Sequence, residues 1–489
     1  MKYLLGIDFG GGASKATLMA DDGKVVAANT VEYPTYYPHE GYAEQNPDDW
    51  YAAVRTNVAA LLNKSGINPH DIAAIAIDAA THTAVICDDN FRPLRPAIYW
   101  TDTRSTAQVD FLRKNYAQLI DTQVLHNPDT IWSLPELMWV RENEPDTWAM
   151  VKRVMFVKDY VRHMLTGDYV TDYIEAEGSM MFDYNTLSWS SELLGIVGLT
   201  ADIMPKIVAP TDIVGSVTAK AASETGLAVG TPVICGSTDT VMEVFAAGGV
   251  ARGKMTLKLA TAGRICVVTD RAYKDKNLIN YSHVCKGLWY PGTATKSCAA
   301  SYRWYRDTFG GVYDELNEGA EKVDIGCDGL VFHPYLNGEL TPYADPKLCA
   351  SFTGVRAGHT KAHFTRAVLE GVAMSMLDCM EALTQLGIPH DNEAAIIGGG
   401  GKSPLWRQIV SDALGITLVV KKYTDSSFGS CMLAGIAVGI FDDAVSAFER
   451  CNETLSVTCP NEENHRKYAK VFARYKKIQK ALQEIYDEG

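Results

Sequence analysis

The sequence predicts an α/β protein built from two halves that share one structural plan. A β-rich segment, a glycine turn and a second β-rich segment follow one another twice, near residues 4–18 and near residues 256–268. Helical segments accompany these strands in both halves. With 489 residues, of which 47% are hydrophobic and 21% charged, the chain can bury large cores without disulfides or metals.

The first half begins with three strands, a helix and a fourth strand. Gly10–Gly12 separates the first two strands, and Asn46 and Pro47 supply the N-cap and first residue of a helix that runs to about Leu62. Strands are predicted at residues 2–8, 14–19, 24–31 and 72–77. This order is typical of actin-like and ribonuclease-H-like domains and differs from simple βα alternation.

The second half repeats the plan after a helical and irregular middle, about residues 105–215. Strands are predicted at residues 231–235, 254–260, 264–269 and 394–397, and helices at 239–247, 360–386, from about 403, and 463–486. We therefore expect two domains, residues 1–246 and residues 247–489.

Charge and cysteine usage exclude several classes of partner. Lys and Arg number 45 against 59 Asp and Glu, a net charge of −14, which argues against a nucleic-acid or anionic membrane surface. The apolar start of the chain ends at Asp8, far short of the roughly 20 residues that span a membrane. The eleven cysteines show no CxxC pair, which indicates reduced, buried thiols in a cytoplasmic protein.

Two acidic residues stand where chemistry could occur. Asp8 ends a strand beside Gly10–Gly12, where backbone N–H groups could approach a phosphate while the carboxylate holds a hydrated Mg²⁺. The alternative is an aspartate that only caps a hairpin turn. Asp239 opens a helix after an apolar strand, so it could act as a general base or could merely stabilise the helix dipole.

Two glycine-containing turns could bind a nucleotide. Thr261 and Gly263 lie between two strands, where a hydroxyl and a close backbone could hold phosphate oxygens, although an ordinary hairpin would look the same. Gly398–Gly401 joins a strand to a helix, and four consecutive glycines are hard to justify by packing because glycine costs backbone entropy. A ligand lying against the backbone is the better reason, although the spacing matches neither a P-loop nor a dinucleotide fingerprint.

A third group of polar residues follows the strands of the first half. It contains Thr81, His82, Trp100, Asp102 and Arg104. A lone histidine is usually structural, and a nearby Asp and Arg can form a surface salt bridge. An aromatic ring beside a carboxylate, a guanidinium and an imidazole can also bind a polyhydroxylated sugar, through stacking and hydrogen bonds.

Taken together, these motifs resemble the FGGY family of sugar kinases, most closely the xylulose kinases. The matching segments are Gly6–Lys15, Thr81–His82, Trp100–Arg104, Lys158–Tyr160, Gly236–Asp239, Thr261–Gly263, Phe332–Pro342 and Gly398–Gln408. The resemblance implies two actin-like domains around a deep inter-domain cleft, the first binding sugar and the second ATP. It also implies transfer of the ATP γ-phosphate to a sugar hydroxyl with Mg²⁺.

The resemblance assigns a role to each matching residue. Asp239 would be the catalytic base, and Asp8 and Asp239 would lie nearest the metal ion. The residues implied for the sugar are Thr81, His82, Trp100, Asp102, Arg104 and Asp239. Those implied for ATP are Gly11, Gly12, Thr261 and Gly263 at the phosphates and Gly399, Gly400 and Ser403 at the adenosine.

The chain also departs from the family pattern. Gly10–Gly12 lacks the usual hydroxyl residues, Ala260 replaces a glycine, and the segment Asp172–Ala176 lacks the expected serine. D-Xylulose is the expected substrate, followed by D-ribulose, L-xylulose, another pentulose, gluconate or glycerol. An actin-like ATPase or chaperone and a weakened sugar-binding sensor are alternatives, and a homodimer is the default assembly.

Overall fold

The computed structural model describes residues 1–275 and 277–487. The strands are β1 (Tyr3–Phe9), β2 (Ala13–Ala20), β3 (Val25–Glu32), β4 (Glu44–Gln45), β5 (Ile72–Ala79), β6 (Ala84–Cys87), β7 (Ala97–Ile98), β8 (Arg153–Phe156), β9 (Val170–Asp172), β10 (Phe182–Asp183), β11 (Ser188–Trp189), β12 (Lys206–Val208), β13 (Ile213–Ser216), β14 (Pro232–Ile234), β15 (Ser237–Thr238), β16 (Met255–Leu259), β17 (Gly263–Val267), β18 (Gly292–Thr295), β19 (Val331–His333), β20 (Ser351–Thr353), β21 (Glu393–Ile397), β22 (Thr417–Lys421) and β23 (Thr454–Thr458).

The helices connect and cover these strands. They are α1 (Pro47–Ser65), α2 (Thr106–Asn115), α3 (Ala117–Gln123), α4 (Ser133–Asn143), α5 (Pro145–Ala149), α6 (Val157–Thr166), α7 (Tyr173–Gly178), α8 (Ser191–Val197), α9 (Ala219–Thr225), α10 (Asp239–Ala246), α11 (Ala299–Phe309), α12 (Tyr313–Glu321), α13 (Lys361–Gln385), α14 (Pro404–Leu414), α15 (Ser426–Ala437), α16 (Ala444–Cys451) and α17 (Glu462–Asp487). Short 3₁₀ turns cover Pro69–Asp71, Ala201–Ile203, Cys327–Gly329 and Gly399–Lys402.

The chain divides into two compact units. Unit 1 contains Met1–Ala246, Tyr281–Gly287 and Tyr423–Asn452. Unit 2 contains Ala247–Asn280, Leu288–Lys422 and Glu453–Gly489. Two segments from the second half of the sequence therefore belong to the first unit.

Unit 1 is organised around one mixed sheet with the strand order β13-β14-β5-β1-β2-β3, and β15 also pairs with β5. Strands β1, β2 and β3 form an antiparallel meander, while β5 runs parallel to β1. The predicted opening of three strands, a helix and a further long strand is confirmed. The N-cap is confirmed too, because the Asn46 side chain accepts a hydrogen bond from the Asp48 N–H.

Alternate side chains of β1 serve opposite faces of this sheet. Leu5, Ile7 and Phe9 join a buried core that includes Trp50 of α1. The other face lies against α15. A β-carbon added to Gly6 would stand 1.9 Å from the Ser427 carbonyl oxygen, so the backbones of β1 and α15 touch where only glycine fits.

Unit 2 has its own mixed sheet, ordered β18-β17-β16-β21-β22-β23. Its first three strands are an antiparallel meander, and β21 runs parallel to β16, as in unit 1. The predicted repeat of one strand plan in two halves is thus confirmed. The charged C-terminal helix α17 contributes Tyr468 and Tyr475, both fully buried, to the core of this unit.

The eleven cysteines are all free thiols. Eight are buried, as predicted, whereas Cys349 and Cys459 are exposed and Cys285 is half-buried. Among the described residues, no helix is long and apolar enough to span a membrane.

Candidate active site

The parallel strands of unit 1 end in acidic residues. Asp8 of β1 is directly opposite Asp78 of β5, and Asp78 is in turn opposite Ser237 of β15. The next element after β15 is α10, whose first residue is Asp239. Ligands of mixed α/β sheets bind where the carboxyl ends of such strands meet. The sheet therefore gathers three carboxyl groups at its ligand-binding edge.

Burial and mutual repulsion raise the pKa values of two of these acids. Desolvation, reinforced by the charge of Asp239, raises the pKa of Asp8 to about 7. Desolvation and the Asp8 charge raise the pKa of Asp78 well above its ordinary range. The Asp78 side chain hydrogen-bonds that of Asp8, while the Ser430 hydroxyl of α15 donates to Asp78. Asp78 thus fixes the orientation of Asp8.

Asp239 begins α10 and remains partly exposed, in agreement with the predicted start of this helix. Its Oδ1 accepts hydrogen bonds from the Thr240 backbone N–H, at 2.6 Å, and from the Thr240 hydroxyl, at 3.2 Å. Bonding to Oδ1 fixes the carboxylate in one rotamer. The charge of Asp239 acts on Asp8, which shows that the two predicted metal-site residues are close together.

The glycine turn, Gly10–Gly12, is held through its carbonyl groups. The Tyr33 hydroxyl bonds the first carbonyl, Thr35 Oγ1 and Gln45 Nε2 bond the second at 3.1 and 2.9 Å, and the Tyr33 N–H bonds the third at 3.0 Å. Gln45 is itself fixed by the Trp50 indole N–H, at 3.1 Å. All three carbonyls of the turn are thus engaged by the protein, and its N–H groups are the candidates for binding an anion.

Aromatic side chains lie beside this turn. A β-carbon on Gly11 would stand 2.7 Å from the Tyr99 hydroxyl, so the turn and Tyr99 are in close contact. Trp100 follows and leaves 41% of its surface exposed, which makes its ring available for stacking on a sugar.

Thr81 and His82 follow β5 directly, and both are buried. His82 has φ 62°, in the left-handed region. Its ring meets Trp132 edge-on at 4.6 Å between centroids. Burial lowers the pKa of His82 to about 3, so the imidazole is neutral and can accept or donate a hydrogen bond.

Asp102 and Arg104, also predicted to contact the sugar, form a buried ion pair inside unit 1. Arg104 bonds Asp102 through two nitrogens at 2.7–3.0 Å and Glu44 at 2.8 Å, and its guanidinium lies 3.8 Å from the Tyr42 ring centroid. Asp102 also accepts the Ala43 N–H at 2.6 Å. Both side chains are 1% exposed. The pair is held in place by Glu44, Tyr42 and Ala43, and direct sugar contact by either residue stays a prediction.

In unit 2, Thr261 and Gly263 follow β16. Thr261 is exposed, and its carbonyl accepts the Cys298 N–H at 3.0 Å. Gly263 is buried, and its N–H donates to Thr295 Oγ1 at 3.0 Å. A β-carbon on Gly263 would meet Met376 Sδ at 2.7 Å. Packing therefore accounts for this glycine, and its N–H is already used.

The Gly398–Gly401 turn follows β21, the parallel neighbour of β16. Packing explains Gly398 and Gly400, so the prediction that packing does not account for the glycines of this turn is wrong for these two residues. Gly398 has φ 90° and abuts the Leu259 carbonyl, and a β-carbon on Gly400 would meet the Trp406 ring at 2.9 Å. Gly399 is exposed, and a β-carbon added to it would have open space within 4 Å. It is the glycine of this turn that packing leaves unexplained.

Ser403, predicted at the adenosine, is the N-cap of α14. Its hydroxyl accepts the Trp406 N–H at 3.3 Å. Its carbonyl accepts the Arg407 N–H at 3.0 Å. These bonds explain the residue structurally, and contact with a nucleotide stays a prediction.

Two further residues of the site, Asp78 and Glu175, belong to no motif of the sequence. Asp78 is the penultimate residue of a buried strand, which is the signal that could have singled it out as a partner of Asp8. Glu175 accepts a hydrogen bond from the His82 N–H at 2.6 Å. The two residues are 93 positions apart in the chain, and no local sequence pattern predicts the contact.

The acidic edge of unit 1, formed by Asp8, Asp78 and Asp239, fits a Mg²⁺ ion that retains most of its coordinated water. Asp8 Oδ1 and Asp78 Oδ1 are buried without a hydrogen-bond partner among the described residues. Over residues 1–275 and 277–487, no three His, Cys, Asp or Glu side chains are grouped to bind a metal by themselves. Mg²⁺ commonly binds one or two carboxylates, waters and substrate phosphates, so one ligand from this edge is sufficient.

Comparisons with known proteins show the family of the chain. Residues 3–246 match the N-terminal domain of the FGGY family of carbohydrate kinases, and residues 270–438 match its C-terminal domain. The chain is 32% identical to a xylulose kinase of Bacillus subtilis, covering 98% of this chain and 97% of that protein. It is 29% identical to a gluconokinase of the same species, with 99% and 97% covered.

A solved structure extends the comparison to the fold. Ligand-bound xylulose kinase from Lactobacillus acidophilus superposes with a TM-score of 0.94 at 25% identity, covering 100% of both chains. The two-domain architecture is therefore that of the actin-like sugar kinases. The chain belongs to the FGGY family of carbohydrate kinases.

Proposed function

We propose that this carbohydrate kinase converts D-xylulose to D-xylulose 5-phosphate, with ATP as donor and Asp239 as general base. The observation that carries the proposal is the position of Asp239 at the ligand-binding edge of unit 1, within electrostatic range of Asp8. The similarity to xylulose kinases over nearly the whole chain supports the choice of sugar.

In this mechanism, Asp239 accepts the proton of the sugar hydroxyl as that oxygen bonds to phosphorus. Thr240 holds Oδ1 through two hydrogen bonds, and we assign the accepted proton to Oδ2. Asp8, oriented by Asp78, would hold Mg²⁺, which supplies positive charge to the transferring phosphoryl group. The N–H groups of Gly11 and Gly12 would add further stabilisation of its negative charge.

For the sugar, we assign stacking to Trp100 and hydrogen bonding to Thr81 and His82. Asp102 and Arg104 would border the sugar and hold the Trp100 segment. For ATP, we assign contacts in unit 2 to the exposed residues Thr261 and Gly399, and Gly263, Gly400 and Ser403 would shape the turns beside them.

Gluconate is the second candidate, because gluconokinases also match the chain at 29% identity. An anionic substrate favours a binding site with unneutralised positive charge. Arg104 does not supply it, since Asp102 and Glu44 both pair with its guanidinium. This pairing favours the neutral ketose.

Sugar-dependent ADP release by the purified protein tests the proposal. D-Xylulose, D-ribulose, L-xylulose, D-gluconate and glycerol are compared by kcat/KM, and D-xylulose is expected to give the highest value. A higher kcat/KM for gluconate would make gluconate the proposed substrate in place of D-xylulose. ADP release without sugar would indicate an ATPase, and sugar binding without turnover would indicate a sensor.

Replacing the base gives a sharper prediction. Asp239→Asn removes the proton acceptor but keeps the side-chain shape, so kcat should fall by roughly 10²–10⁴-fold while the Kd for sugar changes little. Asp110→Asn, at an exposed acid on α2, is the matched control and should keep wild-type kcat. Near wild-type turnover of Asp239→Asn would refute the assignment.

A further inference from the structure

The loop that carries His82 has an uncommon backbone conformation. His82 has φ 62°, in the left-handed region that only a few per cent of non-glycine residues occupy. It directly follows the ligand-binding edge, since β5 ends at Ala79. The neighbouring contacts should therefore show what imposes the conformation.

Both backbone polar groups of His82 are held by side chains from distant helices. Glu175 Oε1, in the first turn of α7, accepts its N–H at 2.6 Å. Ser133, the first residue of α4, donates its hydroxyl to the His82 carbonyl. Glu175 and Ser133 are both fully buried, so neither bond competes with water.

The same helix leaves space for the side chains of this loop. A β-carbon on Gly178, at the end of α7, would stand 2.8 Å from both the His82 ring and the Thr81 methyl group. The positions of Thr81 and His82 are thus set by α7 at its first turn and at its last residue.

The result is a neutral imidazole held in one place. Burial lowers the pKa of His82 to about 3, so the ring is uncharged. A neutral imidazole can donate a hydrogen bond through one nitrogen and accept one through the other. Nδ1 is buried without a hydrogen-bond partner among the described residues, and the residue as a whole is 7% exposed.

We infer that Glu175 and Ser133 are positioning residues for substrate binding, which clamp the His82 backbone so that its imidazole can hydrogen-bond a sugar hydroxyl. The inference rests on the proposed function, because it takes a sugar as the ligand of His82. Neither residue is assigned a contact with the sugar; each acts through His82.

The charge state of Glu175 makes the clamp testable by a near-isosteric change. Burial raises the pKa of Glu175 well above its ordinary range, which favours the uncharged side chain. Glutamine presents the same acceptor oxygen without a charge. Glu175→Gln should therefore keep the clamp, whereas Glu175→Ala leaves the His82 N–H unpaired.

The experiment measures KM for D-xylulose, KM for ATP and kcat of the full-length protein. Glu175→Ala should raise the KM for sugar about tenfold or more and leave the KM for ATP within about twofold. Glu175→Gln should stay within about threefold of wild type in both. Ser133→Ala, a small change, should raise the sugar KM severalfold in the same selective way.

A double-mutant cycle separates positioning from general damage. In a His82→Ala background, Glu175→Ala and Ser133→Ala should each change the sugar KM by less than about twofold, because the group they position is gone. Additive effects in that background would overturn the inference, as would a Glu175→Gln variant as impaired as Glu175→Ala. If Glu175→Ala lacks a cooperative thermal transition, the Ser133→Ala cycle decides alone.

The same data distinguish failure of the clamp from failure of the proposed function. A wild-type protein that turns over no sugar of the panel would overturn both. Wild-type turnover of D-xylulose with additive cycles would overturn the clamp alone and leave the kinase assignment standing.

Discussion

At the scale of single residues, neighbouring glycines of the Gly398–Gly401 turn have different structural roles. Gly399 is exposed and has open space around it, while Gly400 is buried against Leu259 and Trp406. A sequence shows both only as members of a glycine run. Their surroundings show that Gly399 is available for ligand contact, whereas Gly400 is required by packing.

Alanine substitution should separate these roles. Gly400→Ala forces a methyl group to within 2.9 Å of Leu259 Cβ and Trp406, so the free energy of unfolding should fall by about 1–3 kcal/mol. Gly399→Ala should change stability by less than about 0.5 kcal/mol but raise the KM for ATP severalfold. Denaturant unfolding and ATP kinetics of both variants provide the measurement. Equal destabilisation by the two would contradict the packing argument.

At the scale of elements, unit 1 is completed by segments that come late in the chain. Tyr281–Gly287 joins α7, where the Glu177 carboxylate accepts the Ser282 N–H at 2.8 Å and its hydroxyl at 2.6 Å. Tyr173, also in α7, donates its hydroxyl to the His283 carbonyl at 3.0 Å. Glu177 is thus a buried acid at a tertiary junction.

This acid should make stability depend on pH. Burial raises the pKa of Glu177 from 4.5 to about 8, so folding favours the protonated form. Its stabilising contribution is complete below about pH 4.5 and is lost as pH rises through about 8. Glutamine never ionises, so the free energy of unfolding of Glu177→Gln minus that of wild type should grow between about pH 5 and pH 8, by at most about 1.4 kcal/mol per pH unit.

Denaturant unfolding at several pH values checks this expectation. Glu318→Gln, at an exposed position of α12, is the control and should follow the wild-type pH dependence. A difference between Glu177→Gln and wild type that stays constant or shrinks with pH would contradict the predicted sign.

At the scale of the whole molecule, sequence order and structural unit do not coincide. Helix α15, at residues 426–437, covers β1 and β5, and its Ser427 hydroxyl lies 2.7 Å from that of Thr17. Its buried residues include Phe428, Met432 and Leu433. Each such side chain contributes about 1.5–3 kcal/mol when buried. Residues 1–246 alone would leave one face of their sheet uncovered.

Fragments should reveal this dependence. Residues 1–246 expressed alone should aggregate or lack a cooperative thermal transition, because the α15-facing side of β1 and β5 meets water. The same fragment joined through a long Gly/Ser linker to residues 423–452 should be monodisperse and unfold cooperatively. Size-exclusion chromatography and circular dichroism compare the two. Cooperative unfolding of 1–246 at the same midpoint as the joined form would contradict the expectation.

The sequence alone determined those features that depend on local pattern. The strand meanders on either side of Gly10–Gly12 and Thr261–Gly263, the Asn46 cap and the helix opening at Asp239 all follow from turn chemistry and periodicity, which act over a few residues. The resemblance carried by short motifs was enough to identify the kinase family.

Only the tertiary structure decided which side chains meet. The contacts of Asp78 with Asp8, of Glu175 with the His82 backbone and of Glu44 with Arg104 join residues that are distant in sequence. The different surroundings of Gly399 and Gly400 also depend on residues from other elements. Local propensity carries no information about such partners. Burial and hydrogen bonding settle them only when the chain has folded, because desolvated polar groups must then find one another.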